Sequence, residues 1–148
     1  MKRLIITGII AISILIFASC DQMAIEDAIN TFEDAVNDDS SSDMENILSP
    51  DSQQYILSDW DTFLDYFDDQ RPVDYTNLDI NLDGENARVL TDATYSEVPV
   101  LGGVKFRMRK DQADSTFFMP SWKVYQYYDN GNFAEDTDAI WKKLNRKK

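Results

Sequence analysis

In the segment "VKFRMRK" the cations Lys105, Arg107 and Arg109 alternate with Val104, Phe106 and Met108. Successive side chains of an extended chain point to opposite faces, so a period of two puts the three cations on one face. Such a row can contact an anion, or it can pair with acids on neighbouring strands and face water. With 21 acids between Asp21 and Glu97, internal pairing is the expected arrangement. A second group is aromatic: Phe32, Trp60, Phe63, Tyr95, Phe106, Phe117 and Trp122 have the bulk to line an apolar pocket or to fill a core. A third is "DINLDG", where Asp79, Asn81, Asp83 and Gly84 have the spacing that opens a calcium-binding loop. That loop needs a bidentate Glu at its twelfth position, occupied here by Leu90, and its flanks should be helical, whereas these alternate as strands. A hairpin turn is therefore expected, and no metal.

The chain has no histidine and a single cysteine. Histidine-assisted Ser or Cys nucleophiles and the usual zinc sites are thereby excluded. Five glycines without a Gly-rich spacing make no phosphate loop. No cofactor is implied. Acid–base work would fall to Asp, Glu, Tyr or Lys, and a carboxylate does it at neutral pH only when burial or a neighbouring charge shifts it. Glu26, Asp27, Glu33 and Asp34 fall on the polar face of a helical pattern, and Asp38 and Asp39 in a loop. Asp92 is the one mid-strand acid flanked by apolar and small residues, so it marks where a buried base would sit. No catalytic residue is assigned.

The cysteine has a distinctive position. Lys2 and Arg3 precede an uncharged run of fourteen residues, Leu4 to Phe17, interrupted by Thr7, Gly8 and Ser13. A membrane span takes roughly twenty apolar residues, whereas the core of a secretory signal takes about 7–15. Phe17-Ala18-Ser19-Cys20 resembles the lipobox of bacterial lipoproteins, with Phe17 where leucine is usual. The resemblance implies that residues 1–19 are a signal peptide and that Cys20, once diacylated, begins the mature chain. It implies a palmitate-type anchor in a membrane of the cell envelope, and leaves open which membrane.

The whole chain carries −13; the two cations of the signal leave −15 on residues 20–148. From Asp21 to Glu97 only Arg71 and Arg88 offset the acids, whereas Val98 to Lys148 has 10 bases against 6 acids. An acidic body repels nucleic-acid phosphates, so nucleic acid is excluded as a partner. The expected partners are the membrane, through Cys20, and a small ligand or an envelope protein. The length beyond the signal fits one domain of roughly 100–150 residues.

In "MAIEDAINTFEDAVN", Ile25, Ile29, Phe32 and Val36 recur at helical spacing, with Ala28 and Ala35 on the same stripe. Ser42 with Glu45 has capping-box spacing for a short second helix, which Pro50 ends. Ser58 is placed to cap a third, with Trp60, Phe63, Leu64 and Phe67 on one face. From residue 74 the period changes to two. "DYTNLDINL", "ARVLTDATYSEV", "VKFRMRK" and "STFFMPSWKVYQYY" read as strands, the last with Pro120 inside it, at a bulge or edge. "DTDAIWKKLNRKK" allows a tail helix through Ile140, Trp141 and Leu144. The expected organisation is α+β: helices over about 22–70, packed on a curved, mainly antiparallel sheet over about 74–128, then a tail or short helix at 134–148.

The long first helix, "ILSPDSQQY", "NLDINLDGENARVLTDATY" and "SWKVYQYY" together resemble the nuclear transport factor 2-like, or cystatin-like, α+β superfamily. The resemblance implies a bent sheet wrapped on the first helix with a pocket at its open end. Some members are isomerases working with a tyrosine and aspartates, but no residue pair here matches such a motif. The expectation is a non-catalytic binding or interaction module tethered to the membrane. The alternative is a small pocket enzyme of isomerase or dehydratase type.

Overall fold

The computed structural model describes residues 2–115 and 120–128, with side chains from Ser19 onward. The first helix, α1, runs Lys2–Asn37. It is longer than the amphipathic pattern alone, because no proline and only Gly8 interrupts the chain before Asn37. Ile25, Ala28, Ile29, Phe32, Ala35 and Val36 are all buried, as their spacing requires. From Ser19 on, no helix is long and apolar enough to cross a membrane.

Three short helices follow: α2 (Ser41–Ile47), α3 (Pro50–Ile56) and α4 (Trp60–Asp65). The cap of α2 is Ser40, not Ser42: Ser40 Oγ accepts the Asp43 amide at 3.3 Å and donates to the Asp43 carboxylate at 2.6 Å. Pro50 lies at the first position of α3, so it both bars continuation of α2 and starts the next helix. Ser58 does not cap α4; a 3-10 turn over Leu57–Asp59 precedes that helix.

The sheet comprises β1 (Val73–Asp83), β2 (Asn86–Tyr95), β3 (Val98–Pro99), β4 (Val104–Asp111) and β5 (Ser121–Tyr128). Its order is β1-β2-β4-β5 with β3 on β2, and every ladder is antiparallel. With helices on one side of such a sheet, the fold class is α+β. The hairpin turn expected at "DINLDG" is present, with Gly84 and Glu85 as its two-residue loop. Asp83 pairs with Asn86, and Gly84 at φ +60° takes the first turn position, as glycine does in type II′ turns. At Gly103 (φ +70°) a Cβ would lie 2.5 Å from the Thr91 carbonyl oxygen, so only glycine fits there. Pro120 precedes β5 and is not inside it. Phe117 and the tail positions Ile140, Trp141 and Leu144 lie outside the described residues.

Both edges of the sheet are tied to helices. Asn37 stands in for a neighbouring strand on β1: its Nδ2 donates to the Val73 carbonyl (2.9 Å) and its Oδ1 accepts the Val73 amide (2.8 Å). On β5 the Ser49 amide donates to the Val124 carbonyl (2.9 Å), and Ser52 Oγ donates to the Tyr125 carbonyl (2.9 Å). Midway along α1, where its buried stretch begins, Asp21 Oδ1 accepts from Lys110 Nζ (2.8 Å) and Trp122 Nε1 (3.0 Å). The inner sheet face, with Ala87, Val89, Ala93, Val104, Phe106, Met108 and Val124, is buried against α1. The outer face carries the alternate residues.

Candidate functional site

The inside of the fold is a set of rings in contact. Phe32 has ring centroids 5.3 Å from Phe106, 5.2 Å from Tyr127 and 6.4 Å from both Phe63 and Tyr75. Trp60 stacks on Phe63 at 5.4 Å, and Tyr95 meets Phe67 at 6.1 Å. Phe32, Trp60, Phe63, Tyr95 and Phe106 are thus brought into one cluster. Trp122 stands apart, beside Asp21.

Tyr75 and Tyr127, which the sequence did not mark, carry the polar part of this interior. Tyr127 hydroxyl bonds to those of Tyr75 (2.9 Å) and Tyr95. Burial, then the neighbouring Tyr75 and Tyr95, pushes Tyr127 well above the ordinary phenol range, so it stays neutral.

Acids take the other side. Among the described residues no Asp or Glu is buried. Asp92 is exposed and accepts from Asn77 Nδ2 at 2.9 Å, on the outer face with Leu90 and away from Val89 and Ala93. The described acids and Cys20 bring no three ligands together for a metal ion.

One carboxylate departs from its usual range. Glu33 accepts the Tyr75 amide at 2.9 Å. Partial burial raises its pKa above 4.5; the Tyr75 hydrogen bond opposes this, while Asp74 and Asp34 reinforce it. The folded state therefore holds this proton more tightly than the unfolded chain does, so Glu33 makes stability fall as pH rises from the unfolded value towards the raised one. Glu33→Gln keeps an acceptor for Tyr75 and should flatten this slope. Urea midpoints taken across the window above pH 4.5 test it; an unchanged slope rules the effect out.

The charged residues converge on the outer sheet face. Arg88 lies directly opposite Arg107, and Asn86 opposite Arg109. Like charges facing each other across a ladder destabilise it, so a pair such as Arg88–Arg107 costs stability unless an anion lies between them. Among the described residues, these arginines do not have the expected pairing with acids. The ion pairs among the described residues are Arg71–Asp68, Lys110–Asp21 and Lys123–Asp114; none involves Arg88, Arg107 or Arg109. Arg107 donates to Gln126 at 3.4 Å and Arg109 lies 4.8 Å from the centre of the Tyr125 ring. Lys105, 3% exposed, has its ammonium 4.8 Å from the Tyr128 ring centre.

A bulge shapes this face. Arg107 pairs with Gln126 and Met108 with Val124, leaving Tyr125 as the extra residue on β5. Bulges re-aim a side chain in this way. Tyr125 lines two adjoining hollows. One, of about 270 Å³, is bounded by Asn81, Asp83, Asn86, Arg88 and Arg107; the other, of about 320 Å³, by Asp51, Ser52, Gln54, Tyr55, Arg109 and Gln126. Arg88 could have been suspected from the sequence, being one of two cations among 21 acids. Tyr125 could not, because nothing local announces the bulge. The chain matches no protein-family model, no curated protein and no solved structure, so the assignment of this face rests on the chain's own residues.

Proposed function

We propose that this protein is a lipid-anchored component of a bacterial cell envelope, tethered through Cys20, that binds an anionic ligand without transforming it. Its domain is of the nuclear transport factor 2-like kind. The observation that carries the binding reading is the outer sheet face, where three arginines that make no ion pair among the described residues stand in a body of net charge −15. Guanidinium groups match planar carboxylates and phosphates with paired donors. The non-catalytic reading draws on the exposure of Asp92 and on the rings packed where an isomerase would hold substrate. Acid–base catalysis needs a shifted carboxylate beside the reacting carbon.

Citrate is a suitable probe. A ligand that binds only the folded state at a hundred times its Kd adds about 2.7 kcal/mol. Titrated with citrate at constant ionic strength, the detergent-solubilised wild-type protein should show a rise in Tm that grows with the logarithm of citrate concentration above Kd and that the Arg107→Gln/Arg109→Gln variant lacks. Equal behaviour of the two proteins would refute the anion face. Isomerisation of an apolar β,γ-unsaturated ketone, abolished by Tyr127→Phe, would put the pocket enzyme in its place.

A further inference from the structure

The two hollows that meet at Tyr125 contain more than cations, and their other groups narrow the ligand. This inference rests on the anion-binding reading of the outer face and names its chemical class. The arginines are interleaved with side-chain amides: Asn81 and Asn86 beside Arg88 and Arg107, Gln54 and Gln126 beside Arg109. A carboxamide offers both donors and an acceptor, which suits a partner rich in hydroxyls. Between the two groups stands the Tyr125 ring, half-buried at the bulge, with Arg109 beside it. An amphipathic ring in that position provides an apolar surface with a polar tip.

The acids of the trough point the same way. Asp83 lies in the hollow with Arg88 and Arg107, and Asp51 in the one with Arg109. Carboxylates repel a bare polyanion, which brings no donors to satisfy them. They accept readily from hydroxyl groups. A ligand that satisfies amides, arginines, an aromatic platform and carboxylates together carries hydroxyls and sparse anionic groups on a ring with apolar C–H faces. We infer that the trough binds an acidic saccharide chain, one whose sugars bear carboxylates, laid across Tyr125 so that successive residues occupy the two hollows. The combined volume of about 590 Å³ (270 and 320 Å³) gives room for more than one ring.

The test uses the full lipidated protein in detergent micelles and three probes of defined length: an oligogalacturonate, a neutral oligogalactoside and polyglutamate. Binding is read by isothermal titration at about 0.15 M salt, near physiological ionic strength. The oligogalacturonate should bind at least tenfold more tightly than either other probe. Tyr125→Ala should lose at least tenfold, Tyr125→Phe should retain affinity, and Arg107→Gln should lose the preference for the acidic sugar over the neutral one. If polyglutamate binds as well as the oligogalacturonate, the face is a general anion surface and the saccharide assignment falls while the anion reading stands. If no probe binds although citrate does, the assignment again falls alone; if citrate fails too, both fall. Far-ultraviolet circular dichroism on Tyr125→Ala separates lost contact from lost fold, and Tyr125→Phe supplies the answer should the alanine variant be unfolded.

Discussion

Replacing Phe32 by alanine lowers the unfolding free energy by about 3–5 kcal/mol, the range for deleting a buried aromatic side chain. Phe32 is fully buried at the middle of the buried stretch of α1, and its ring meets Phe63, Tyr75, Phe106 and Tyr127 from α4, β1, β4 and β5. The cavity left by alanine cannot close by moving one neighbour, because its walls belong to four elements. Urea denaturation of the detergent-solubilised protein measures the effect. A loss below about 1 kcal/mol would mean that α1 does not lie against this sheet as described.

The second large effect concerns the anchor. With Cys20 changed to alanine, the intact mass should show no lipid, and any product that has lost residues 1–19 should move from the detergent phase to the aqueous phase on partitioning. Each buried methylene contributes about 0.8 kcal/mol, so two or more acyl chains on Cys20 would supply tens of methylenes of membrane affinity, which the alanine variant would lack. Cys20 is followed by Asp21, Gln22 and an exposed Met23, and one exposed methionine cannot substitute for the anchor. A Cys20→Ala protein that stays in the detergent phase as wild type does, although its mass shows residues 1–19 gone, would show that the attachment has another source.

Periodicity made the fold legible, and pairing kept the site hidden. Ile25, Ile29, Phe32 and Val36 are read off as a stripe because helical spacing is a property of one segment. The same holds for Ala87, Val89, Thr91 and Ala93 along β2, all buried. The face shared by Lys105, Arg107 and Arg109 was legible for that reason too. Their surroundings were not. That Arg88 stands opposite Arg107 depends on strand register, and that Tyr125 lies beside Arg109 depends on a bulge, so both are relations between segments. Boundaries slipped where two residues compete for one role: Ser40 caps α2 although Ser42 has the better partner at three residues. Proline was informative but displaced, with Pro120 lying just before β5. The Tyr75–Tyr127–Tyr95 hydroxyl network had no local sign, its members coming from three different strands.

If Cys20 carries lipid, the hold of Lys110 and Trp122 on Asp21 would set how this protein meets its surroundings. A diacylated Cys20 would be next to a residue already fastened to the sheet, and Ile25 enters the core about 7–8 Å farther along the helix. There is no swivel. The body would ride on the lipid at one fixed attitude, with the Asp111 end of β4 against the bilayer and the turn at Leu101–Gly103 carried about 25 Å away from it, the length of an eight-residue strand. The arginine trough would then stand upright beside the membrane, like a wall rising from a floor. A short-tethered wall of this height can sample only what diffuses within a few nanometres of the lipid headgroups. Its search would be confined to a sheet of fluid rather than a volume, and any chain it captured would be held close to the membrane surface.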